Sequence, residues 1–527
     1  MGIYINIGNE GFVSARNSEY VDKSGLIRVV NSTLNTERRF SCVTRCRRFG
    51  KSMAAKMLNA YYDQSCDSRN LFNGLEIVRD PQFEQHLNKY PVIYLDMTDF
   101  VTRFKDESIV RQIDTRIAED VRQAFPDVKV MEGDDLMDTL VRIYGDRSQK
   151  FIFIIDEWDA ICREFRTGTT EMDNYVNWLR RMFKSVNAST VFAAVYMTGI
   201  LPIKKYKTES ALNNFTEYSM VDPIDMGIFF GFTKGEVKVL SEKYGMSFEE
   251  MAQWYDGYQI GDEPSMFNPN SVMMAIRSRR CRSFWASTGA YSSVANYIRL
   301  NFDGLKDNVL RLLAGERVKV NTTKFQNDIS IIQSKDDVLT VLIHLGYLAY
   351  NWRKDECYVP NHEVAGELSN AVEESGWDNV VKSLQQSDAL LEATLAGNEE
   401  AVARYVDVAH DENTSILSYN DENSLACVLS IAYYKARNNY IIHRELATGE
   451  GFADLVLIPR KHVDSPALVI ELKYNQNVDS SIDQIKRKEY PAKVSEYTND
   501  LLLVGINYNR ETKKHTYRIE KLSLIER

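Results

Sequence analysis

Five consecutive apolar residues, Phe151-Ile152-Phe153-Ile154-Ile155, end abruptly in Asp156-Glu157. A strand with one wet face would alternate apolar and polar side chains, so this run demands burial on both faces. That environment belongs to a parallel sheet covered by helices on each side. Strand-like runs recur at Phe40–Thr44, Val92–Leu95 and Val191–Thr198, separated by helical patterns. Residues 20–220 therefore read as an α/β domain with a parallel sheet.

A chain of 527 residues is too long for one core. Residues 222–400 are mostly helical in pattern, with turn-rich interruptions, and residues 410–527 return to mixed α/β. His410–Tyr419 looks like the entry to that last part, which places the expected domains at 1–221, 222–409 and 410–527. The seven cysteines are scattered without CxxC pairs, which points to a reducing compartment and away from a structural zinc site. No charged-then-apolar leader and no run of about 18 apolar residues is present. A cytoplasmic location without a membrane partner is expected. The net charge of −10 offers no global attraction to nucleic acid. The C-terminal 118 residues, with 16 Lys/Arg against 17 Asp/Glu, are the end less repulsive to a polyanion.

After Phe40–Thr44 comes Arg45-Cys46-Arg47-Arg48-Phe49-Gly50-Lys51-Ser52, then a helical run from Met53 to Tyr62. Strand, loop, Gly-Lys-Ser, helix is the context of a P-loop. There, loop N–H groups and the helix N-terminus cradle phosphate, Lys51 reaches the β and γ oxygens, and Ser52 holds magnesium. The first glycine of the usual pattern falls at Arg45, so the loop is either a reshaped P-loop or a basic strand–helix turn. Arg45, Arg47 and Arg48 are candidate phosphate contacts. The apolar strand ending in Asp156-Glu157 supplies the partner pattern: the first acid supports the metal shell and the second polarises the attacking water. An acidic helix cap after a buried strand is the plainer alternative. Thr198 reads as a polar sensor beside the γ-phosphate or simply as a strand end. Arg180 and Arg181 read as fingers acting in trans or as exposed helix arginines.

Near the C-terminus, Gly451-Phe-Ala-Asp454 is followed by a short basic loop and then by Leu468-Val-Ile-Glu471-Leu-Lys473. Alternation along a strand puts Val469, Glu471 and Lys473 on one face and Leu468, Ile470 and Leu472 on the other. An acid and a base emerging on an otherwise apolar face must serve each other or a metal. With Asp454 they make the set that phosphodiester-cleaving metal sites use.

Together these motifs resemble a bacterial family that joins an AAA-ATPase-like N-terminal domain to a PD-(D/E)XK nuclease-superfamily C-terminal domain. The resemblance runs nearly end to end. It begins at Tyr20-Val-Asp22-Lys23, passes through Arg47–Ser52, Ile155–Asp159, Thr198–Pro202 and Leu212–Phe215, and continues through Trp254–Tyr258, Asn268-Pro269 and Gly346–Leu348. It closes on Gly-x-x-Asp454…Glu471-x-Lys473. Cys46 stands where such sequences usually carry proline, and Ala453 where the superfamily motif does. Asn213-Asn214 and Trp254–Tyr258 are candidates for a nucleotide lid, with packing around the Asp256-Gly257 turn as the alternative. Asp22-Lys23 contacts base or ribose, or is a surface pair.

The resemblance implies ATP as cofactor, bound by Arg48, Gly50, Lys51, Ser52, Asp156 and Thr198, with Glu157 catalytic. It implies Asp454 and Glu471 as ligands of magnesium or manganese, assisted by the Leu472 carbonyl, with Lys473 orienting or deprotonating water. Ser52 and Asp156 complete the metal ligands at the nucleotide. Glu422 is a further candidate metal ligand and Gln484 a candidate contact to substrate or water. Lys486, Arg487, Lys488 and Lys493 form a basic helix suited to phosphate backbone, or a solvated face, and Tyr490 stacks on a base or packs. The expected fold is an α/β P-loop domain, a helical middle and a restriction-endonuclease-like α/β domain. The expected function is an ATP-binding, magnesium-dependent nuclease acting on DNA and gated by the N-terminal domain. The alternative is a nucleotide-dependent interaction switch that binds nucleic acid or protein without cutting. RNA as target and a homo-oligomer stay open.

Overall fold

In the computed structural model of the chain, residues 2–523 are described apart from 105–107, 166–168, 204, 207–208, 211, 286–290, 301, 303, 326–331, 375–376, 414–421, 449–450, 461–462, 476, 488–499, 510 and 513. They fall into two compact units, Met1–Trp285 with Lys319–Glu363, and Ala286–Val318 with Val364–Arg527.

The first unit is built on β1 (Phe40–Thr44), β2 (Val92–Asp96), β3 (Phe151–Asp156), β4 (Phe192–Gly199) and β5 (Thr216–Tyr218), in the order β2-β3-β4-β1-β5. Every pairing in this sheet is parallel. All residues of β1, β3 and β4 are buried, as their apolar runs require. Phe153, Ile155, Val195 and Met197 join one helical layer, whereas Ile152, Ile154, Ala194 and Tyr196 join the other. Alternation along each strand thus feeds two separate cores. The helices that matter for function are α1 (Lys51–Tyr62), following β1, α2 (Ala160–Glu164), following β3, and α3 (Pro269–Ser278). Asn268 caps α3 by accepting from Ser271 N, and Pro269 occupies its first turn. The middle of the chain is helical, with small antiparallel pieces such as Tyr258–Ile260 against Glu263–Phe267.

The second unit holds α4 (Glu422–Ala432), then β6 (Tyr440–Thr448), β7 (Gly451–Pro459) and β8 (Ala467–Tyr474), α5 (Val478–Arg487), β9 (Asp500–Asn509) and β10 (Lys514–Ser523). The strand order follows the chain, and only β8 and β9 run parallel to each other. Parallel neighbours need a crossover, which α5 supplies. Its Ile482 and Ile485 pack on Val456, Ile458, Ala467, Val469, Leu501 and Leu503, one face of the sheet. Gly505 lies on that same face. A Cβ there would stand 3.0 Å from Ser481 Cβ and 3.1 Å from the Val478 carbonyl oxygen, so the bare backbone lets α5 sit close. Among the described residues no helix is long and apolar enough to cross a membrane.

Candidate functional site

Two groups of sequence-predicted residues come together, one in each unit. In the first, Gly50 takes φ +90° immediately before α1, a left-handed backbone that glycine adopts freely. Lys51 is buried at the start of the helix; its Nζ donates to the Cys46 carbonyl at 3.2 Å and lies 3.6 Å from Glu157 Oε1. Glu157 follows β3 with φ +56°, and its Oε2 accepts from Arg163 NH2 of α2 at 2.8 Å. Burial pushes the Glu157 carboxyl up, but Lys51, Arg163 and Arg47 outweigh it and hold the pKa below the ordinary value. Asp156 is buried at the end of β3. Its Oδ1 accepts from Thr198 Oγ1 at 2.5 Å and its Oδ2 from the Tyr94 hydroxyl at 3.3 Å. Thr198 Oγ1 in turn accepts from Glu157 N at 3.2 Å.

A cleft of about 390 Å³ opens over this end of the sheet. Its lining combines polar groups, Arg48, Gly50, Lys51, Ser52 and Glu157, with Glu19, Lys23 and Arg277, and an apolar surface of Tyr20, Val21, Met57, Phe232 and Met273. A helix N-terminus and a lysine beside a greasy wall suit a ligand with an anionic tail and a flat apolar head. Asp156 and Thr198 are not among the cleft-lining residues and support Glu157 from behind. Arg48 lines the cleft while its NH1 donates to the Phe284 carbonyl at 2.8 Å. Arg45, one of the candidate phosphate contacts, instead turns inward: fully buried, it donates to the Thr44 and Tyr218 carbonyls, each at 2.8 Å. Burial pushes its pKa down to about 10.

The middle motifs support the loop. Phe49 meets Tyr258 edge to face at 5.1 Å, and the Tyr258 hydroxyl donates to the Gly346 carbonyl at 2.8 Å. Gly346 has φ +87°, and a Cβ on it would come within 2.6 Å of Cys46 Cβ. Tyr255 and Tyr258 are buried, and neither Trp254–Tyr258 nor Asn213-Asn214 lines the cleft. Asp22 accepts from Ser24 N and Glu76 N, whereas Lys23 lines the cleft and pairs with Glu236 at 2.7 Å. The cleft's apolar wall was not visible in the sequence. The Asn268-Pro269 cap and the apolar spacing of the helix behind it are the signals that could have located Met273.

In the second unit, the antiparallel register ends at Leu455 with Ile470, and one step further sets Asp454 across from Glu471. Opposed residues share a face, here the one covered by α5. Asp454 Oδ2 accepts from Leu472 N at 2.7 Å, which ties the acid to the backbone of β8. Glu471 is buried, and its Oε1 receives the Gln484 amide from α5, with Lys473 Nζ 3.5 Å away. Asp454, Glu471, Lys473 and Gln484 therefore gather at one place. The side chains of Glu422, at the start of α4, and of Arg487 lie outside the described residues, as do Lys488, Tyr490 and Lys493. Lys486 pairs with Glu520 at 2.5 Å. Among the described residues no group of three or more His, Cys, Asp or Glu is placed to hold a metal. A divalent ion would thus rest on two carboxylates, the Leu472 carbonyl and water, a hard-oxygen set of the kind magnesium accepts.

A family model described as Predicted AAA-ATPase matches residues 6–208, and one for the PD-(D/E)XK nuclease superfamily matches residues 420–517. A curated relative, an uncharacterized protein in the vnfD 5′ region of Azotobacter chroococcum mcd 1, is 21% identical over 548 residues, covering 96% of each chain. The chain is also similar to the Orc1 protein of Aeropyrum pernix in complex with DNA, at 13% identity and a TM-score of 0.25, covering 70% of this chain and 97% of that one. Cdc6p of Pyrobaculum aerophilum matches at 10% identity and a TM-score of 0.25, covering 68% and 98%. Likenesses at such scores have no bearing on function. The two family matches fall on the two sites described above: the chain joins an AAA-ATPase-like domain to a PD-(D/E)XK nuclease-superfamily domain.

Proposed function

We propose that the protein is a magnesium-dependent nuclease that hydrolyses phosphodiester bonds in DNA, with access to substrate gated by ATP bound in the N-terminal domain. The observation that carries this reading is the convergence of Asp454, Glu471, Lys473 and Gln484 on one sheet face. A divalent ion held by Asp454, Glu471 and the Leu472 carbonyl would polarise the scissile phosphate. Lys473, beside Glu471, would orient a water and offset charge on the phosphate. Gln484 fixes the Glu471 carboxylate through a neutral amide, which leaves the charge of that acid intact. At the other site, Lys51 and Ser52 would receive the triphosphate and Glu157 would orient the attacking water, with Asp156 and Thr198 behind it. Backbone contacts without base readout are the expected mode of nucleic-acid binding.

The test is cleavage of plasmid, single-stranded DNA and RNA by the full chain, in magnesium or manganese, with and without ATP. Cleavage of DNA that requires metal and disappears in Lys473→Ala supports the reading; a Lys473→Ala protein that cuts like the parent sinks it. A second reading, a nucleotide-dependent switch that binds without cutting, is favoured by the buried Arg45 at the first-glycine position and by Lys51 resting on Glu157. Saturable ATP binding without phosphate release, together with no cleavage in manganese, would select it.

A further inference from the structure

Two motifs, Ile155–Asp159 and Thr198–Pro202, lie far apart in sequence yet interlock, and neither the cleft nor the acids alone explain why. Asp159 is fully buried, and its Oδ2 accepts from Ile200 N at 3.2 Å and Leu201 N at 3.0 Å, just past β4. Gly199 makes the approach close: a Cβ there would stand 2.6 Å from the Trp158 indole and 2.8 Å from Asp159 Oδ1. One helical turn on, Arg163 NH1 stands 3.9 Å from Asp159 Oδ1, while NH2 of the same guanidinium donates to Glu157 Oε2 at 2.8 Å. The other oxygen of Glu157 faces Lys51 at 3.6 Å. A continuous path of charge therefore leads from the end of β4 through Asp159, Arg163 and Glu157 to the P-loop lysine.

We infer that Arg163 is a positioning residue: by holding one oxygen of Glu157 it sets how tightly the other keeps Lys51, and so how readily Lys51 passes to an incoming triphosphate. This rests on the nucleotide reading proposed above. Two cations lie against the carboxylate of Glu157, Lys51 and Arg163, with Arg47 adding to the field from further off, and each of the two weakens the claim of the other. When Lys51 moves to phosphate, Arg163 stays and keeps Glu157 ionised and aimed. The fork geometry matters, since one planar guanidinium spans two carboxylates that an ammonium would serve one at a time. Without Arg163, Glu157 and Lys51 become a tighter pair that ATP must break.

The experiment is a double-mutant cycle on the affinity of the full chain for a fluorescent ATP analogue. It compares the parent, Arg163→Met, Glu157→Gln and the double variant, with thermal melting to verify folding. Arg163→Met is expected to weaken binding about fivefold to tenfold in the parent background and to have no effect in the Glu157→Gln background. Arg163→Lys, which keeps the charge and loses the fork, should fall between and serves as the probe where the methionine variant melts early. Equal loss in both backgrounds, or no loss in either, overturns the proposal. A parent chain that binds no nucleotide removes the nucleotide reading itself and this inference with it, a result distinct from additive losses.

Discussion

Asp454 does two jobs that a pair of substitutions can separate. Its Oδ2 accepts the buried Leu472 N–H at 2.7 Å, a charge-assisted bond across the strand pair. Its charge, in our reading, is for a metal ion. Asp454→Ala removes both: the orphaned N–H costs about 2 kcal/mol. In a unit of this size that lowers the melting temperature by roughly 4–8 °C. Asp454→Asn keeps a carbonyl oxygen to accept the same N–H and loses only the charge assistance, about 1 kcal/mol, so its melting temperature should fall by roughly 2–4 °C, half the alanine loss. Yet both variants should lose cleavage, by about a hundredfold or more, because the lost charge acts on the reacting phosphate. Differential scanning fluorimetry and plasmid nicking in magnesium and manganese measure the two effects on the same preparations. A well-folded Asp454→Asn protein that nicks at the parental rate refutes the metal assignment. An Asp454→Asn protein that melts like the alanine variant refutes the account of the strand bond.

Lys51→Ala should abolish binding of the ATP analogue and, because ATP gates access in the proposed reading, remove the ATP-dependent part of DNA cleavage at unchanged melting temperature; cleavage that still responds to ATP as in the parent would refute the gate. Gly505→Val should destabilise the second unit by about 1–3 kcal/mol and lower cleavage together with it, because the new side chain meets Ser481 and Val478 and lifts the helix carrying Gln484. Burial drives the His344 pKa down to about 4, with Arg45 adding to the effect. The unfolded chain, near 6.5, then binds the extra proton first, so stability is intact above about pH 6.5 and is lost as the pH falls toward 4. Between pH 7 and 5 the loss is about 2 kcal/mol, and His344→Leu should flatten that part of the urea-midpoint profile.

The parallel sheet was readable because burial on both faces leaves a signature no other strand has, as in Phe151–Ile155. β5, only three residues long and partly exposed, leaves no such mark. β10 leaves none either: its Lys514–Ser523 sequence alternates charge with apolar residues along a sheet edge and resembles an ordinary surface segment. At the C-terminal site, alternation alone put Glu471 and Lys473 on one face, while the register that brings Asp454 opposite Glu471 depends on pairing across a loop. Arg45 shows the limit in the other direction. Beside Arg47 and Arg48 it looks like a phosphate ligand, but the Thr44 and Tyr218 carbonyls at the sheet end take its guanidinium, and Tyr218 belongs to a strand distant in sequence. Arg163 was missed because the two acids it meets, Glu157 as acceptor and Asp159 as ion-pair partner, come to its guanidinium only after β3 turns into α2.

Both sites solve one electrostatic problem in the same way. On the reading proposed above, each has an acid on a strand or just past one, next to a lysine it must eventually share: Glu157 with Lys51, and Glu471 with Lys473. A bare acid–lysine pair, buried, would hold together too firmly to release either partner to a ligand. In each case a third group holds the carboxylate from another direction, the Arg163 fork at one site and the Gln484 amide at the other. The choice of group matters. A neutral amide fixes Glu471 without offsetting its charge, which is what the proposed cation-binding role would require. A guanidinium offsets the charge of Glu157, which weakens its hold on Lys51, and that is what the proposed transfer of Lys51 to phosphate would require. Exchanging the two devices should therefore harm the sites in opposite senses. Gln484→Arg should suppress manganese binding, measured by calorimetry, by lending Glu471 a permanent cation. Arg163→Gln should leave Glu157 fixed but fully charged and slow the transfer of Lys51 to ATP. If Gln484→Arg binds manganese as the parent does, the carboxylate of Glu471 is not a ligand, and the parallel between the two sites fails at the C-terminal one.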